Sequence, residues 1–210
     1  MSQTEERALL EHIDLYRLTT VEAAACAACD GDRRRATGAL AYLVRRGELH
    51  RFGQIYTHRA TPPKPRDAWR DLAILSYCCL GTPPQPCIPK ERLVDAFGPH
   101  ASRLGLRPPT AQACIFDQND RLARLWVEPY TEDRAGMPLQ KVLAALQRAA
   151  RDKSFHLWAH LALTGEFGLL VLCRSRGRAD ELARWLGRVP LSAIAGSTTV
   201  EVPVATAAIP

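Results

Sequence analysis

Apolar residues at Ala8, Leu9, Ile13 and Tyr16, with Leu15 beside them, recur at helical spacing and predict a first helix within "TEERALLEHIDLYRL". Thr4 is expected to cap it, with Glu5 and Glu6 placed well for the positive end of the helix dipole. In "LTTVEAAACAAC", Thr20 is expected to cap a short second helix whose Ala and Cys side chains permit close packing. Gly31 and Asp32 break that helix, and Asp32 can cap a third from about Arg33 to Arg46. Ala36, Leu40, Leu43 and Val44 form its inner stripe, and Gly47 stops it by taking a left-handed conformation at no steric cost. "ELHRF", "GQ" and "IYTHR" then read as strand, turn and strand.

Three helices followed by a two-stranded hairpin is the winged-helix arrangement, a helix-turn-helix variant. Beyond it, "RATPPKPRD" reads as a stiff, extended, proline-rich linker. "DAWRDLAILSYCCLG" and "PKERLVDAFG" read as helices, and belong with either neighbouring domain. From Ala111 the pattern changes. "AQACIFD" and "RLARLWVEPY" read as an antiparallel hairpin, "MPLQKVLAALQRAARD" as an amphipathic helix, and "SFHLWAHLAL" as helix or strand. "EFGLLVLC", apolar without alternation, reads as a buried strand; "RADELARWLGRV" is a helix and "TTVEVPVATA" an edge strand. The expected fold class is α+β: a winged-helix domain at 1–60, a linker and helical segment at 61–109, and a mixed α/β domain at 110–210.

Charge sharpens this picture. Of the 210 residues, 28 are basic and 22 acidic, a mild excess that is unevenly placed. From Gly31 to Arg66 nine Arg or Lys stand against two acids, whereas the first thirty residues hold two arginines and six acids. Concentrated positive charge suits a polyanion, because neutralising phosphates releases counterions. If the third helix buries its apolar stripe, its outer face carries Arg33, Arg34, Arg35, Thr37, Tyr42 and Arg45, with small Gly38 and Ala41 allowing close approach. Arginine pairs with guanine edges in the major groove through two hydrogen bonds. Arg51, Gln54 and Arg59 on the hairpin suit phosphate or minor-groove contact, with His50 and His58 beside them. The expected partner is double-stranded DNA. The competing reading is a solvated basic helix in a protein-interaction module.

Other motifs carry less. Cys26 and Cys29 have the spacing of half a zinc site, without a second half, and read as packed helix residues. His156 and His160 are four apart, but Leu157 stands where a zinc protease has its glutamate. Seven cysteines, an odd number in apolar contexts, suggest reduced thiols. No apolar run approaches the roughly 18 residues of a membrane span, and the start lacks a signal-type segment, so a cytoplasmic protein without membrane contact is expected.

The combination of the basic helix and hairpin with "IFDQNDRLARLWVEPYTEDRAGMPLQKVLAALQRAARDKSF" and "FGLLVLCRSRGRADELARWL" resembles the replication-relaxation family of plasmids and other mobile elements. The resemblance implies a restriction-endonuclease-like core after the winged helix. By position it places Asp117 at the first aspartate, Glu128 at the strand acid, Lys141 at the helical lysine and Arg178 after the late strand. Pro129 and Tyr130 stand where the pattern wants a second acid, Phe116 replaces the proline, and the acid-x-Lys triplet is missing. The core therefore reads as degenerate.

The reading that follows is a DNA-binding accessory protein of a plasmid or mobile element, acting in replication, mobilisation or transcription control. It is expected to be a homodimer, to contact a partner protein through its second domain, and to need no cofactor. The alternative is a magnesium-dependent nickase or relaxase using Asp117, Glu128, Lys141 and Tyr130, with Glu132 and Asp133 as substitute ligands.

Overall fold

A computed structural model describes residues 2–81, 83–89, 91–93, 95, 113–116, 122–128, 167–188 and 204–208. The expected features at Asp117, Tyr130, Glu132, Asp133, Lys141, His156 and His160 lie outside them. The chain is mixed α and β, and divides into two compact units at Pro86/Cys87.

The first unit starts with helix α1 (Gln3–Tyr16). Ser2, not Thr4, caps it: Ser2 Oγ accepts from Glu5 N while Glu5 Oε2 accepts from Ser2 N at 2.7 Å. This reciprocal box satisfies two backbone donors at once, which a cap at Thr4 would not do. Arg17 turns the chain out of α1 in a left-handed conformation, φ 68°. Thr20 caps α2 (Val21–Ala28), accepting from Ala23 N, as its position predicts. Asp32 caps α3 (Arg33–Arg45), accepting from both Arg34 N and Arg35 N.

Strands β1 (His50–Phe52) and β2 (Ile55–Thr57) form an antiparallel hairpin with Arg51 opposite Tyr56. Gly53 takes φ 62° at the first position of the two-residue turn, where a hairpin favours glycine. Tyr56 also pairs with Thr19, between α1 and α2, through two backbone hydrogen bonds of 2.8 and 2.9 Å. The hairpin is thereby tied to the α1–α2 connection, and Thr57 Oγ1 donates to the Arg17 carbonyl at 2.8 Å to strengthen the tie. Leu9, Ile13, Ala24, Ala36, Leu40, Leu43 and Tyr56 meet in one core.

The expected linker is shorter than its prolines suggest. Pro65 opens α4 (Pro65–Leu75), where its missing N–H costs nothing. A π-helical turn, Ser76–Leu80, continues it. α4 packs on α1 and the π-turn on α2, so the 61–109 segment divides between the units, with residues through Pro86 in the first.

The second unit holds a four-stranded sheet in the order β3–β4–β5–β6 among the described residues. β3 (Cys114–Phe116) and β4 (Leu122–Val127) form the expected antiparallel hairpin. β5 (Phe167–Cys173) lies parallel to β4 and β6 (Val204–Ala208) parallel to β5. The unbroken apolar run of β5 fits its central place, and residues 168–173 are all buried. α5 (Arg176–Arg188) lies between β5 and β6 in sequence, as a parallel pair requires of its connection.

Candidate nucleic-acid interface

The four buried residues of α3 are Ala36, Ala39, Leu40 and Leu43. At 100° per residue the opposite ridge is Arg34, Gly38, Ala41 and Arg45, all exposed. An added Cβ at Gly38 would meet nothing within 4 Å, so packing inside the fold does not demand glycine there. A helix-interior glycine costs roughly 0.5–1 kcal/mol relative to alanine.

The flanks of α3 are engaged. Arg33 donates to Glu22 on α2. Arg35 donates to Glu5 on α1, with Asp30 at 3.5 Å. Arg46, just past α3, reaches Glu6 at 2.7 Å and Glu48 at 2.6 Å. Its guanidinium also lies over the Tyr42 ring and donates to the Tyr42 hydroxyl at 3.2 Å. The Ser2 backbone N–H and then the Arg35 guanidinium hold the Glu5 carboxyl down at about 2. Charge separated along the sequence is thus partly cancelled in space: the acidic first helix lies against the basic third. By contrast, Arg34, Arg45, Arg51 and Arg59 have no carboxylate partner among the described residues.

Between the start of α3 and the hairpin lies an open groove of about 480 Å³, lined by Val21, Glu22, Arg33, Arg34, Thr37, Arg51, Gln54 and Tyr56. It brings together five of the nine predicted contact residues: Arg33, Arg34, Thr37, Arg51 and Gln54. Arg51 is pre-positioned there. Its Nε donates to the Gly53 carbonyl at 2.9 Å, and its guanidinium lies 5.6 Å from the centre of the Tyr56 ring. Holding the side chain in place beforehand lowers the entropy cost of a contact. Thr37 Oγ1 donates to the Arg33 carbonyl at 2.7 Å. Tyr42, Arg45 and Arg59 are exposed outside the groove lining, and Arg35 is turned to α1. His58 bridges Asp14 at 3.3 Å and the Glu48 carbonyl at 3.1 Å rather than facing the groove.

Glu5, Glu6 and Glu22 were missed by the sequence reading. Their arginine partners lie 30, 40 and 11 residues away, beyond any helical periodicity.

In the second unit Glu128 follows the end of β4 and is buried. Its Oε1 accepts from Arg178 Nε at 2.6 Å, and Arg178 Nη1 reaches Glu181 at 2.6 Å. Ser175 caps α5, its hydroxyl accepting from Arg178 N at 3.2 Å. The Arg178 guanidinium thus occupies Glu128 Oε1, and the other candidate magnesium ligands, Asp117, Glu132 and Asp133, lie outside the described residues. Among the described residues no group of three His, Cys, Asp or Glu is placed to hold a metal, and no helix is long and apolar enough to cross a membrane. Of the cysteines, Cys26 is exposed and Cys29 buried.

Comparison with family models, curated proteins and solved structures gives no match.

Proposed function

We propose that this chain is a DNA-binding accessory protein of a plasmid or other mobile element, whose first unit is a winged helix that docks α3 on duplex DNA. The observation that carries the reading is the outer ridge of α3. Among the described residues Arg34 and Arg45 stand on it without carboxylate partners, eleven residues or about 16 Å apart, with only Gly38 and Ala41 between them along the ridge. Two cations spaced by a low saddle suit a grooved polyanion. The groove cations Arg33 and Arg51 extend the same surface towards the hairpin. The antiparallel tie between Thr19 and Tyr56 adds support, since it anchors the hairpin beside the helix.

On this reading the α3 N-terminus enters the major groove and the hairpin follows the backbone. The second unit serves dimerisation or contact with a partner protein. The resemblance to replication-relaxation proteins supports a role in replication, mobilisation or transcription of the host element. The ion-paired Glu128 speaks against the nickase alternative.

The test is a salt titration of binding to duplex DNA by the full chain. Arg34→Ala should weaken binding by about 1–3 kcal/mol if Arg34 meets a base edge, and Arg45→Ala should flatten the salt slope by about one unit if Arg45 meets a phosphate. Binding unchanged by both would leave the first unit as a protein-interaction module.

A further inference from the structure

Glu22 is the odd member of the groove. A carboxylate among Arg33, Arg34 and Arg51 repels phosphate, so backbone attraction alone does not account for it. It is also held in place. Glu22 Oε1 accepts from Arg33 Nη2, while its side chain remains 45% exposed and that of Arg33 70% exposed. Glu22 lies in the first turn of α2 and Arg33 opens α3, so two capped helices fix the pair from both sides. Among the described residues the other Glu22 oxygen, the Nε and Nη1 hydrogens of Arg33 and the second hydrogen of its Nη2 have no partner, so one two-donor edge of the guanidinium stays open. The groove therefore presents an acceptor and a fork of donors side by side.

A nucleic-acid base edge can satisfy both. In the major groove a G·C pair shows two neighbouring acceptors, guanine N7 and O6, followed by the amino donor at cytosine N4. An arginine fork takes the two acceptors and a carboxylate takes the amino group. An A·T pair alternates acceptor, donor and acceptor and ends in a methyl group, so it sets the adenine amino donor against an arginine donor and the thymine O4 acceptor against the carboxylate. Building on the DNA-binding reading above, we infer that Glu22 and Arg33 form one base-reading unit, selective for a single G·C pair under the start of α3. Glu22 is then the specificity-determining residue. It discriminates because docked DNA would cover these polar groups and leave them unmatched when the wrong pair is present.

The experiment is binding-site selection from randomised duplex DNA by the full chain, with wild type and Glu22→Ala run in parallel. Wild type should fix one position as G·C, preferred over A·T by about tenfold to a hundredfold. Glu22→Ala should lose that preference, keep the others, and bind random-sequence DNA more tightly. Placing 7-deazaguanine at that position, which removes only N7, should weaken wild type several-fold and leave Arg33→Ala unaffected. A Glu22→Ala profile identical to wild type, or a lost preference that is for A·T, overturns the inference and leaves DNA binding standing. Failure of wild type to bind any duplex overturns the DNA-binding reading itself. Should Glu22→Ala not fold by circular dichroism, the 7-deazaguanine measurement on wild type decides alone: no loss at any guanine of the selected site defeats the inference.

Discussion

His12 Nε2 lies 3.1 Å from Oγ1 of Thr19, the residue whose backbone ties the first unit's hairpin to the α1–α2 connection. Burial lowers the His12 pKa from 6.5 to about 4, and the Tyr16 ring packs 4.9 Å away. The folded state therefore keeps the ring neutral at a pH where the unfolded chain takes up a proton. The stability this neutral ring supports is full above the unfolded pKa and is lost as pH falls from about 6.5 towards 4, by up to about 1.4 kcal/mol per pH unit. Urea midpoints measured at pH 7, 6 and 5 should fall for wild type, and fall less for His12→Gln.

Gly38 separates folding from binding. Nothing lies within 4 Å of an added Cβ there, so Gly38→Ala should stabilise the first unit by about 0.5–1 kcal/mol through helix propensity alone. The new methyl stands on the ridge between Arg34 and Arg45, where it would hold DNA away. A higher melting temperature with weaker duplex binding is expected; a higher melting temperature with unchanged binding would move the contact off this ridge.

Gly81 is the reverse case. A Cβ there would lie 2.6 Å from the Tyr77 carbonyl oxygen, at the end of the π-helical turn. Its φ of −67° is ordinary, so the constraint is space and not backbone conformation. Gly81→Ala should cost about 1–3 kcal/mol, the range for overpacking, measured by chemical denaturation. The Tyr77 hydroxyl to Gln85 hydrogen bond of 3.0 Å is the contact expected to give way with it.

Arg178 neutralises a buried carboxylate. Arg178→Met takes the guanidinium away from buried Glu128 and should destabilise the second unit, at the lower end of the roughly 3–5 kcal/mol range for a broken buried pair because Arg178 is partly exposed. The double variant with Glu128→Gln should recover much of that loss in thermal unfolding.

Local signals carried most of the first unit. Thr20 and Asp32 cap where their side chains predict, and the Gly53–Gln54 turn lies between two short strands as read. Capping and turn chemistry act over a few residues, so they are visible in a single chain. The start of α1 was misplaced because Ser2 competes with Thr4 and only Ser2 has a glutamate three residues on. The charges misled for a different reason. Nine basic residues between Gly31 and Arg66 read as one positive surface, yet Glu5, Glu6 and Glu22 fold back onto three of the arginines in and just after α3. The parallel pairing of Leu122–Val127 with Phe167–Leu172 likewise joins segments whose partnership no local pattern announces.

That folding-back of acids has a consequence for how the molecule would search. The first unit, residues 1–86, holds twelve basic and ten acidic side chains, and its field decays quickly with distance. On the DNA-binding reading, this unit by itself exerts little pull from afar and has little hold on arbitrary sequence. Arrival would be slow and mistaken stops brief, leaving residence to be decided almost wholly by fit at the right address.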